Sequence, residues 1–397
     1  MKDWRGLLAR AWPDSGAMSP IPALDGLRAV AILLVLVFHA AFRVPGYRTD
    51  SLFSVGYTGI HLFFVLSGFL LFLPYARWLY GIQKKPSTRL FYKRRLLRVG
   101  PAYWASLVII LVLGPHTVSR LVDVGVHATF FQNLYGPSVF SLDGVFYTLA
   151  IEFQFYLCLP LIAVICVALA RRVPPLAAAA GVAVALVLIS ELDHMLTATS
   201  LTAIPVVGTA LVTDSSLPYW LGTFASGIAA SVLFVGVTNV WKLSPAGLVR
   251  LGGGAAIFGL LLWISLRVHF MASLPLPLYG VAYAAILLSV VTGPAWLRAV
   301  FESKPLRFVG LVSYSLYIWH LGVLKILDRG PLLHLSFGLQ VTARLAILLT
   351  VALGVAYVSY QLTERPFMRA RRRAQDQPQR ADGGEPALAV GSLPALG

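Results

Sequence analysis

Long apolar stretches separated by short polar connections run along nearly the whole chain. Crossing the hydrocarbon core of a bilayer takes about 20 mostly apolar residues as a helix, and lipid forces every backbone polar group to be paired internally. The pattern therefore predicts an all-α protein, a polytopic transmembrane helical bundle of about ten spans. The predicted spans are residues 26–43, 57–75, 100–114, 143–169, 175–191, 217–235, 251–268, 275–292, 308–327 and 340–362.

The same pattern divides the chain into three regions. Residues 1–20 form an N-terminal segment before the first span, and residues 21–367 form one membrane domain. Residues 368–397 are rich in Arg, Pro, Ala and Gly, a composition typical of a disordered tail. The third span is short, and residues 118–134 are a candidate for one further, partly embedded helix.

Composition favours a membrane protein over the soluble classes. Hydrophobic residues make up 58% and charged residues 12% of the 397 residues, whereas soluble domains carry about 25% charged residues. The 32 Lys and Arg residues outnumber the 16 Asp and Glu residues, for a net charge of +16. The chain has no polar domain that would present a basic patch to nucleic acid. We therefore expect the lipid bilayer, and not nucleic acid, as a partner.

The distribution of Lys and Arg over the connections predicts the orientation, because cytoplasmic loops carry the excess of these residues. Most of them lie in the N-terminal segment, in the connections after the second, fourth, sixth and eighth spans, and in the tail. Both termini are therefore predicted to be cytoplasmic, in a multi-pass protein of the plasma membrane. The opposite side has few such residues: Arg43, Arg48, Arg120, Arg267, Lys325, Arg329 and Arg344.

Four ionisable side chains lie well inside the predicted spans: His39, His61, Glu152 and His320. Such groups are costly in a membrane, so each is a functional hypothesis by default. The predicted orientation puts all four in the outer half of the membrane, on four different helices, as one pocket would require. A neutral imidazole can take a hydroxyl proton near neutral pH, which makes His39 the candidate base. Glu152 is the candidate carboxylate that fixes its tautomer and stabilises its charged form.

Other roles are open for the same residues. A histidine inside a span is often a hydrogen-bonded packing residue, and Glu152 can link helices as a structural carboxylate. Three histidines and a carboxylate can also bind zinc, but the chain has no local His-x-x-x-His pair, so we expect no metal. Cys158 and Cys166 lie in one span, about 12 Å apart along a helix, too far to form a disulfide with each other.

A basic segment leading into the third span is the candidate binding site for phosphate. Arg94 or Arg95 shares a helical face with Arg98, and guanidinium groups bind phosphate in a bidentate manner. The alternative is that these residues only anchor the chain to anionic lipid. Anchoring does not account for Asp25 and Arg28 at the start of the first span, where the carboxylate is well placed to pair with a guanidinium.

The spacing of Arg28 and His39 connects the two kinds of candidate residue. They are 11 residues apart, which corresponds to about 16 Å along a helix. An extended donor molecule can therefore have its phosphates near the inner face of the membrane and its reactive end near His39.

Six segments together resemble the acyltransferase-3 family of integral membrane acyltransferases. The strongest is the opening, Ile21-Pro-Ala-Leu-Asp-Gly-Leu-Arg28, with its spacing to His39. One segment alone would be weak, but six in family order cover nearly the whole chain. The other five are Gly59-Ile-His-Leu-Phe-Phe-Val-Leu-Ser-Gly-Phe-Leu-Leu71, Arg94-Arg-Leu-Leu-Arg-Val-Gly-Pro-Ala-Tyr-Trp104, Gln132-Asn133 with Tyr147-Thr-Leu-Ala-Ile-Glu-Phe-Gln-Phe-Tyr-Leu-Cys-Leu-Pro160, Ser313-Tyr-Ser-Leu-Tyr-Ile-Trp-His320 and Glu364-Arg-Pro-Phe367.

The resemblance implies that residues 21–367 are a membrane acyltransferase domain that moves an acyl group, often acetyl, from acyl-CoA to an acceptor hydroxyl. It implies His39 as the catalytic residue, with Glu152 orienting or assisting. Three departures from the family pattern concern the acceptor pocket: Tyr147-Thr148 in place of Trp-Ser, Gly100 in place of an aromatic residue, and His61 at an often acidic position. The remaining expected roles are donor binding by Arg28, Arg94, Arg95 and Arg98, lining of the substrate pocket by His61, Ser67, Tyr314 and His320, and a structural role for Asp25.

Several points stay open at this stage. No hydrolase-like domain follows the last predicted span, which favours a small natural product such as a macrolide as acceptor, with a carbohydrate, cell-surface glycan or lipid-linked glycan as the alternative. The hydroxyl can attack acyl-CoA directly, or an acyl-histidine can form first. A transporter or flippase is the competing class of function, a non-catalytic scaffold is a third, and a homo-oligomer is possible.

Overall fold

The computed structural model describes residues 21–48, 52–113, 121–198, 215–268, 277–328 and 334–367, and these ranges hold helices and connecting turns without a strand. The α-helices are α1 Ala23–Phe42, α2 Gly59–Leu79, α3 Thr88–Leu113, α4 Leu121–Ala128, α5 Phe146–Leu169, α6 Pro175–Ala198, α7 Leu217–Val235, α8 Pro245–Val268, α9 Pro277–Thr292, α10 Ala295–Phe301, α11 Lys304–Leu327, α12 Phe337–Ile347 and α13 Leu353–Ser359. Short 3₁₀ helices cover Leu52–Thr58, Gln132–Leu134 and Gly136–Ser138, and π-helical turns cover Gly236–Val240, Leu348–Ala352 and Tyr360–Glu364.

Nine of the helical segments within the described ranges are long and apolar enough to cross a membrane, and a tenth is counted if α9 and α10, bent by 111°, form one span. A helix runs through each of the ten predicted stretches, so the multi-pass, all-α fold is confirmed. The orientation of the termini stays a prediction. The predicted N-terminal segment and the predicted tail lie outside the described residues.

Two boundaries differ from the prediction. The third span is not short, because α3 already begins at Thr88, well before the predicted start at residue 100. Its first turns are rich in Arg and Lys, which are good helix formers and whose long side chains can reach toward the membrane surface. In the described part of residues 118–134, the predicted additional helix covers Leu121–Ala128, and its eight residues extend about 12 Å, which is compatible with the partly embedded helix that was predicted and too short for a span.

Glycines allow the central helices to approach one another closely. Gly68 of α2 and Gly227 of α7 face each other's helix, and a Cβ atom on either would clash with backbone of the partner helix. Gly310 of α11 packs in the same way against the carbonyl oxygen of Asp25 in α1. Without a hydrophobic driving force between helices in lipid, such close contact of small residues is a main source of association.

Burial separates central helices from helices at the periphery. The spans of α2 and α7 are each 78% buried within the protein, whereas the span of α8 is 11% buried and presents its apolar side chains outward. The 3₁₀ segment Leu52–Thr58 leads into α2, and α1 and α11 pack against each other beside it. The candidate residues of the sequence analysis lie mainly on the central helices α1, α2, α5 and α11 and on α3.

Candidate functional site

A cavity of about 850 Å³, its open mouth included, lies between α1, α2, α3, α5 and α11. One wall is apolar and comes from α2. The facing walls carry most of the charged and hydroxyl groups. The apolar wall is formed by Ile60, Phe63, Phe64, Leu66, Leu70 and Leu71. The other lining residues are Arg28, Ser67, Arg95, Arg98, Val99, Thr148, Leu149, Glu152, Tyr156, Ser313, Tyr314 and Tyr317.

Arg28 and Asp25 form the predicted ion pair at the start of α1. The Arg28 Nη1 atom lies 3.3 Å from Asp25 Oδ1, and the spacing of three residues puts both on one face of the helix. The Asp25 side chain is buried, while the Arg28 side chain keeps 29% of its surface exposed and lines the cavity. Asp25 therefore supports the guanidinium from behind and leaves part of it accessible.

Arg98 is held by a carboxylate that the sequence analysis did not place in the site. Arg98 Nη1 lies 2.8 Å from Glu364 Oε2, and the Ser315 hydroxyl donates a hydrogen bond of 2.7 Å to the other oxygen of Glu364. Glu364 ends the π-helical turn Tyr360–Glu364 and is 1% exposed. An additional residue in a helical turn changes which side chains face inward, and such turns are frequent at functional sites.

The three arginines predicted on α3 separate in the structure. Arg95 and Arg98 line the cavity, whereas Arg94 does not. Consecutive residues of a helix point about 100° apart, so only one of Arg94 and Arg95 can face the same space. Arg94 is partly buried, and its Nε atom has no hydrogen-bond acceptor among the described residues.

Glu152 faces the same cavity as the arginines. It accepts a hydrogen bond of 2.6 Å from the Ser67 hydroxyl, and Tyr156, one turn further along α5, interacts with the same carboxylate. The predicted pocket residue Tyr314 also lines the cavity and donates a hydrogen bond of 2.7 Å to the carbonyl of Val99. Tyr156 was missed by the sequence analysis, although its spacing of four residues from Glu152 is a usable signal.

His39 and His320 form a pair at the crossing of α1 and α11. Their rings are 4.9 Å apart between centroids, and His39 Nδ1 lies 3.3 Å from His320 Nε2. His320 Nδ1 lies 2.7 Å from the carbonyl oxygen of Tyr317, and His39 Nδ1 lies 3.0 Å from the carbonyl oxygen of Val35. His320 is fully buried, whereas His39 is only partly buried.

These contacts assign the neutral tautomers of the pair. A carbonyl oxygen only accepts, so the proton of each ring lies on Nδ1, where it is donated to Val35 in His39 and to Tyr317 in His320. His320 Nε2 is then an acceptor that also faces the Nδ1 proton of His39. The Nε2 atom of His39 is left with a lone pair and is the nitrogen that can take a proton.

The four intramembrane ionisable residues are therefore not brought into one pocket. His39 contacts His320 where we expected Glu152, because the α1–α11 crossing joins the two histidines while Glu152 is held by Ser67. His61 is fully buried among aromatic rings, 4.9 Å from Trp220 and 5.1 Å from Tyr279 between centroids. Its ring nitrogens have no hydrogen-bond partner among the described residues, and it does not line the cavity.

Tyr317 lies between the cavity and the histidine pair. Its hydroxyl is 2.5 Å from the Thr148 hydroxyl and its ring belongs to the cavity wall, while its carbonyl accepts the His320 hydrogen bond. The sequence analysis missed Tyr317, although it stands three residues before His320 in a quoted segment, and it named Thr148 only as a departure from the family pattern. Tyr317 thus connects the cavity wall to the pair, although neither His39 nor His320, which was predicted to line the pocket, belongs to the cavity lining.

The described residues contain no group of three or more His, Cys, Asp and Glu side chains placed to hold a metal ion. Cys158 and Cys166 are both free thiols. The cavity presents guanidinium groups, hydroxyls and the Glu152 carboxylate, and the histidine pair lies on two of the helices that line it.

Comparison with known proteins identifies relatives along nearly the whole membrane region. A sequence model of the family described as "Acyltransferase domain" matches residues 21–361. A protein named peptidoglycan O-acetyltransferase OatA from Listeria monocytogenes is 26% identical over 379 residues, which is 87% of this chain and 56% of that protein. One named O-acetyltransferase OatA from Staphylococcus aureus is 25% identical, with 87% of this chain and 57% of that protein covered.

The chain thus spans somewhat more than half the length of these curated relatives. No solved structure matches the chain.

Proposed function

The chain belongs to the acyltransferase-3 family, and from this premise we propose that it is a membrane O-acyltransferase that moves an acyl group, most simply acetyl, from acyl-CoA to an acceptor hydroxyl. One observation carries the proposal. A single cavity is lined by three guanidinium groups and by Tyr317, whose carbonyl oxygen accepts a hydrogen bond from the histidine pair.

The donor would bind in the cavity through its phosphates. Arg28, Arg95 and Arg98 line the cavity, and guanidinium groups recognise phosphate with high geometric specificity. Asp25 and Glu364 hold two of these arginines from behind, which keeps their positions fixed before the donor arrives. Arg94 does not line the cavity and fits the role of anchoring α3 at the membrane surface.

The transfer step would use the His39 Nε2 atom as the general base. His39 takes the proton of the acceptor hydroxyl, the oxygen attacks the thioester carbonyl, and the tetrahedral intermediate collapses with loss of CoA thiolate. His320 would keep the Nδ1 proton of His39 in place and so keep Nε2 free. Attack by His39 itself, with an acyl-histidine intermediate, is the second mechanism that this geometry permits.

We consider two classes of molecule as the acceptor of the acyl group. A small hydroxyl-bearing natural product such as a macrolide was favoured by the sequence analysis. The name of the Listeria relative refers to peptidoglycan, which adds support for a carbohydrate or cell-surface glycan. The competing class was a transporter or flippase. Membership of an acyltransferase family favours the enzyme over that class, which does not call for an arginine-lined cavity near a candidate base.

The first test compares purified wild-type protein with His39→Ala and Arg98→Ala. We expect the His39→Ala variant to bind acyl-CoA as well as the wild type does, but to lose acyl transfer by about 100-fold or more, because it lacks the base. We expect Arg98→Ala to weaken acyl-CoA binding, with a smaller salt dependence of the dissociation constant. Binding is measured by titration with acetyl-CoA, and transfer by mass gain of an acceptor panel that includes sugars and macrolides.

Arg171→Ala is the matched control, because Arg171 lies in the exposed α5–α6 connection and does not line the cavity. Wild-type turnover by His39→Ala would contradict the role of His39. Unchanged acetyl-CoA affinity in Arg28→Ala, Arg95→Ala and Arg98→Ala would contradict the cavity as the donor site.

A further inference from the structure

Three cations meet at the end of the bundle where cations are scarce. Arg43 follows α1, Lys325 lies in the last turn of α11 and Arg344 lies in α12. All three belong to the few Lys and Arg residues predicted on the non-cytoplasmic side, so the rule that places cations on the cytoplasmic side does not account for them. Their convergence calls for another explanation.

One carboxylate is shared by two of these cations. The Nε atom of Arg43 donates to Asp328 Oδ2 at 2.7 Å, and its Nη2 atom contacts the same oxygen. Arg344 Nη2 lies 2.9 Å from the other oxygen, Asp328 Oδ1. Asp328 therefore compensates one of two guanidinium charges, and a second anion would be needed to balance both.

Arg344 makes this imbalance costly. Its side chain is 0% exposed, and its Nε and Nη1 atoms have no hydrogen-bond acceptor among the described residues. A buried charge without full pairing is strongly unfavourable. Arg43 differs, because its side chain is 33% exposed and can be reached from outside.

The neighbouring ion pair does not supply the missing charge. Lys325 Nζ lies 3.6 Å from Asp143 Oδ2, and the Lys325 side chain is 45% exposed. Asp143 is buried and is already paired with Lys325, so this ion pair is neutral as a whole and adds no surplus negative charge. The described ion pairs at this end thus join three cations to two carboxyl groups.

The cations lie next to the proposed reaction centre. Arg43 follows His39 by four residues, on the same face of the chain and about 6 Å further along the α1 axis. Asp328 directly follows α11 as Arg43 directly follows α1, so the two helices that carry the histidine pair both end at the ion pair. When an acceptor places its hydroxyl at His39, a substituent on a neighbouring atom of the acceptor can therefore reach Arg43.

We infer that the acceptor carries an anionic group, a carboxylate or a phosphate, which binds at Arg43 while its hydroxyl lies at His39. The inference rests on the proposed function, because it assigns the acceptor class for the same reaction. The anion would add the negative charge that Arg43 and Arg344 lack, and guanidinium groups bind both kinds of anion well. Neutral acceptors would leave the imbalance in place.

The test uses three sugars with the same ring hydroxyls at positions 2, 3 and 4: methyl glucuronoside, its neutral amide, and methyl glucoside 6-phosphate. Binding to the detergent-solubilised full chain is measured by titration calorimetry, with acetyl transfer from acetyl-CoA measured in parallel. We expect the wild type to bind an anionic sugar about tenfold or more tightly than the amide. The carboxylate and phosphate sugars show which anion is preferred.

Arg43→Gln should bring the anionic sugar to within about twofold of the amide, and Arg43→Lys should retain part of the preference, because Lys keeps the charge but not the fork of donors. Arg171→Gln removes an equal charge in the α5–α6 connection and should behave as wild type.

Equal binding of the charged and neutral sugars by the wild type, including no binding of either, would overturn the inference. Acetyl-CoA titration and hydrolysis on the same samples report separately on the proposed function.

Discussion

At the scale of single residues, the free nitrogen of His39 depends on another imidazole. In the familiar catalytic triad a carboxylate holds the histidine and stabilises its charged form. Here a backbone carbonyl and the neutral His320 hold the Nδ1 proton of His39, and the nearest proposed carboxylate, Glu152, is bound to Ser67. In the proposed mechanism His320 is thus a positioning residue, and the property that matters is its Nε2 atom, which accepts the His39 proton.

The acceptor property of His320 can be tested by two substitutions. His320→Ala should lower kcat by about 100-fold, because His39 loses the partner that fixes its tautomer, while the KM for acetyl-CoA stays unchanged. His320→Gln should recover part of kcat, since its amide oxygen can accept the same proton. Steady-state kinetics separate the two parameters. Equal loss in both variants would show that His320 only fills space.

At the scale of helices, the geometry of the pair is set by how closely α1 and α11 cross. Gly310 brings α11 against the carbonyl of Asp25, ten residues before His320 on the same helix. Gly322, further along α11, has no neighbouring atom within 4 Å of the position of an added Cβ. The same helix therefore contains one glycine that sets a helix–helix distance and one that does not.

Replacing these two glycines by alanine should give opposite results. Gly310→Ala should destabilise the protein by about 2 kcal/mol, because the new methyl group forces the helices apart. Gly322→Ala should be neutral or stabilising by about 0.5 kcal/mol, because alanine is the better helix former. Thermal unfolding in detergent, followed by circular dichroism, measures both. Equal unfolding midpoints for the two variants would contradict the close crossing.

At the scale of the whole molecule, the spans were predictable and the partners of the helices were not. Lipid imposes a length and an apolar composition on each span, so ten segments can be read locally. Contacts between spans depend on small differences in packing. Glu364 contacts Arg98 from the end of a π-helical turn. A hydropathy pattern shows neither this turn nor a contact between two residues that are far apart in the sequence.

For the candidate site too, one part was predictable from the sequence and another part was not. The residue types were predictable from chemistry, since arginine suits phosphate and histidine suits proton transfer, and Arg28, Arg95 and Arg98 do share one cavity. The partner of His39 was not predictable, because depth in the membrane leaves open which helices adjoin. Glu152 and His320 have comparable predicted depths, and only the helix crossing decides between them.

The predicted orientation is testable by labelling. In a background of Cys158→Ala and Cys166→Ala, a membrane-impermeant maleimide should label Pro45→Cys in intact cells, because the exposed α1–α2 connection is predicted outside. Arg171→Cys, in the exposed α5–α6 connection, should be labelled only after permeabilisation. The reverse pattern, or labelling of both in intact cells, would contradict cytoplasmic termini.

The histidine pair also has a consequence for biosynthesis. Its two members are 281 residues apart along the chain, so His39 is made early and His320 late. At about 5–20 residues per second, the ribosome needs roughly 15–55 s to travel from one to the other. An interrupted chain can insert its first helices and still lack the partner of His39. Under the proposed mechanism, activity is therefore acquired only after His320 has been made, and fragments in the membrane that end before it remain inert toward the cellular pool of activated acyl groups.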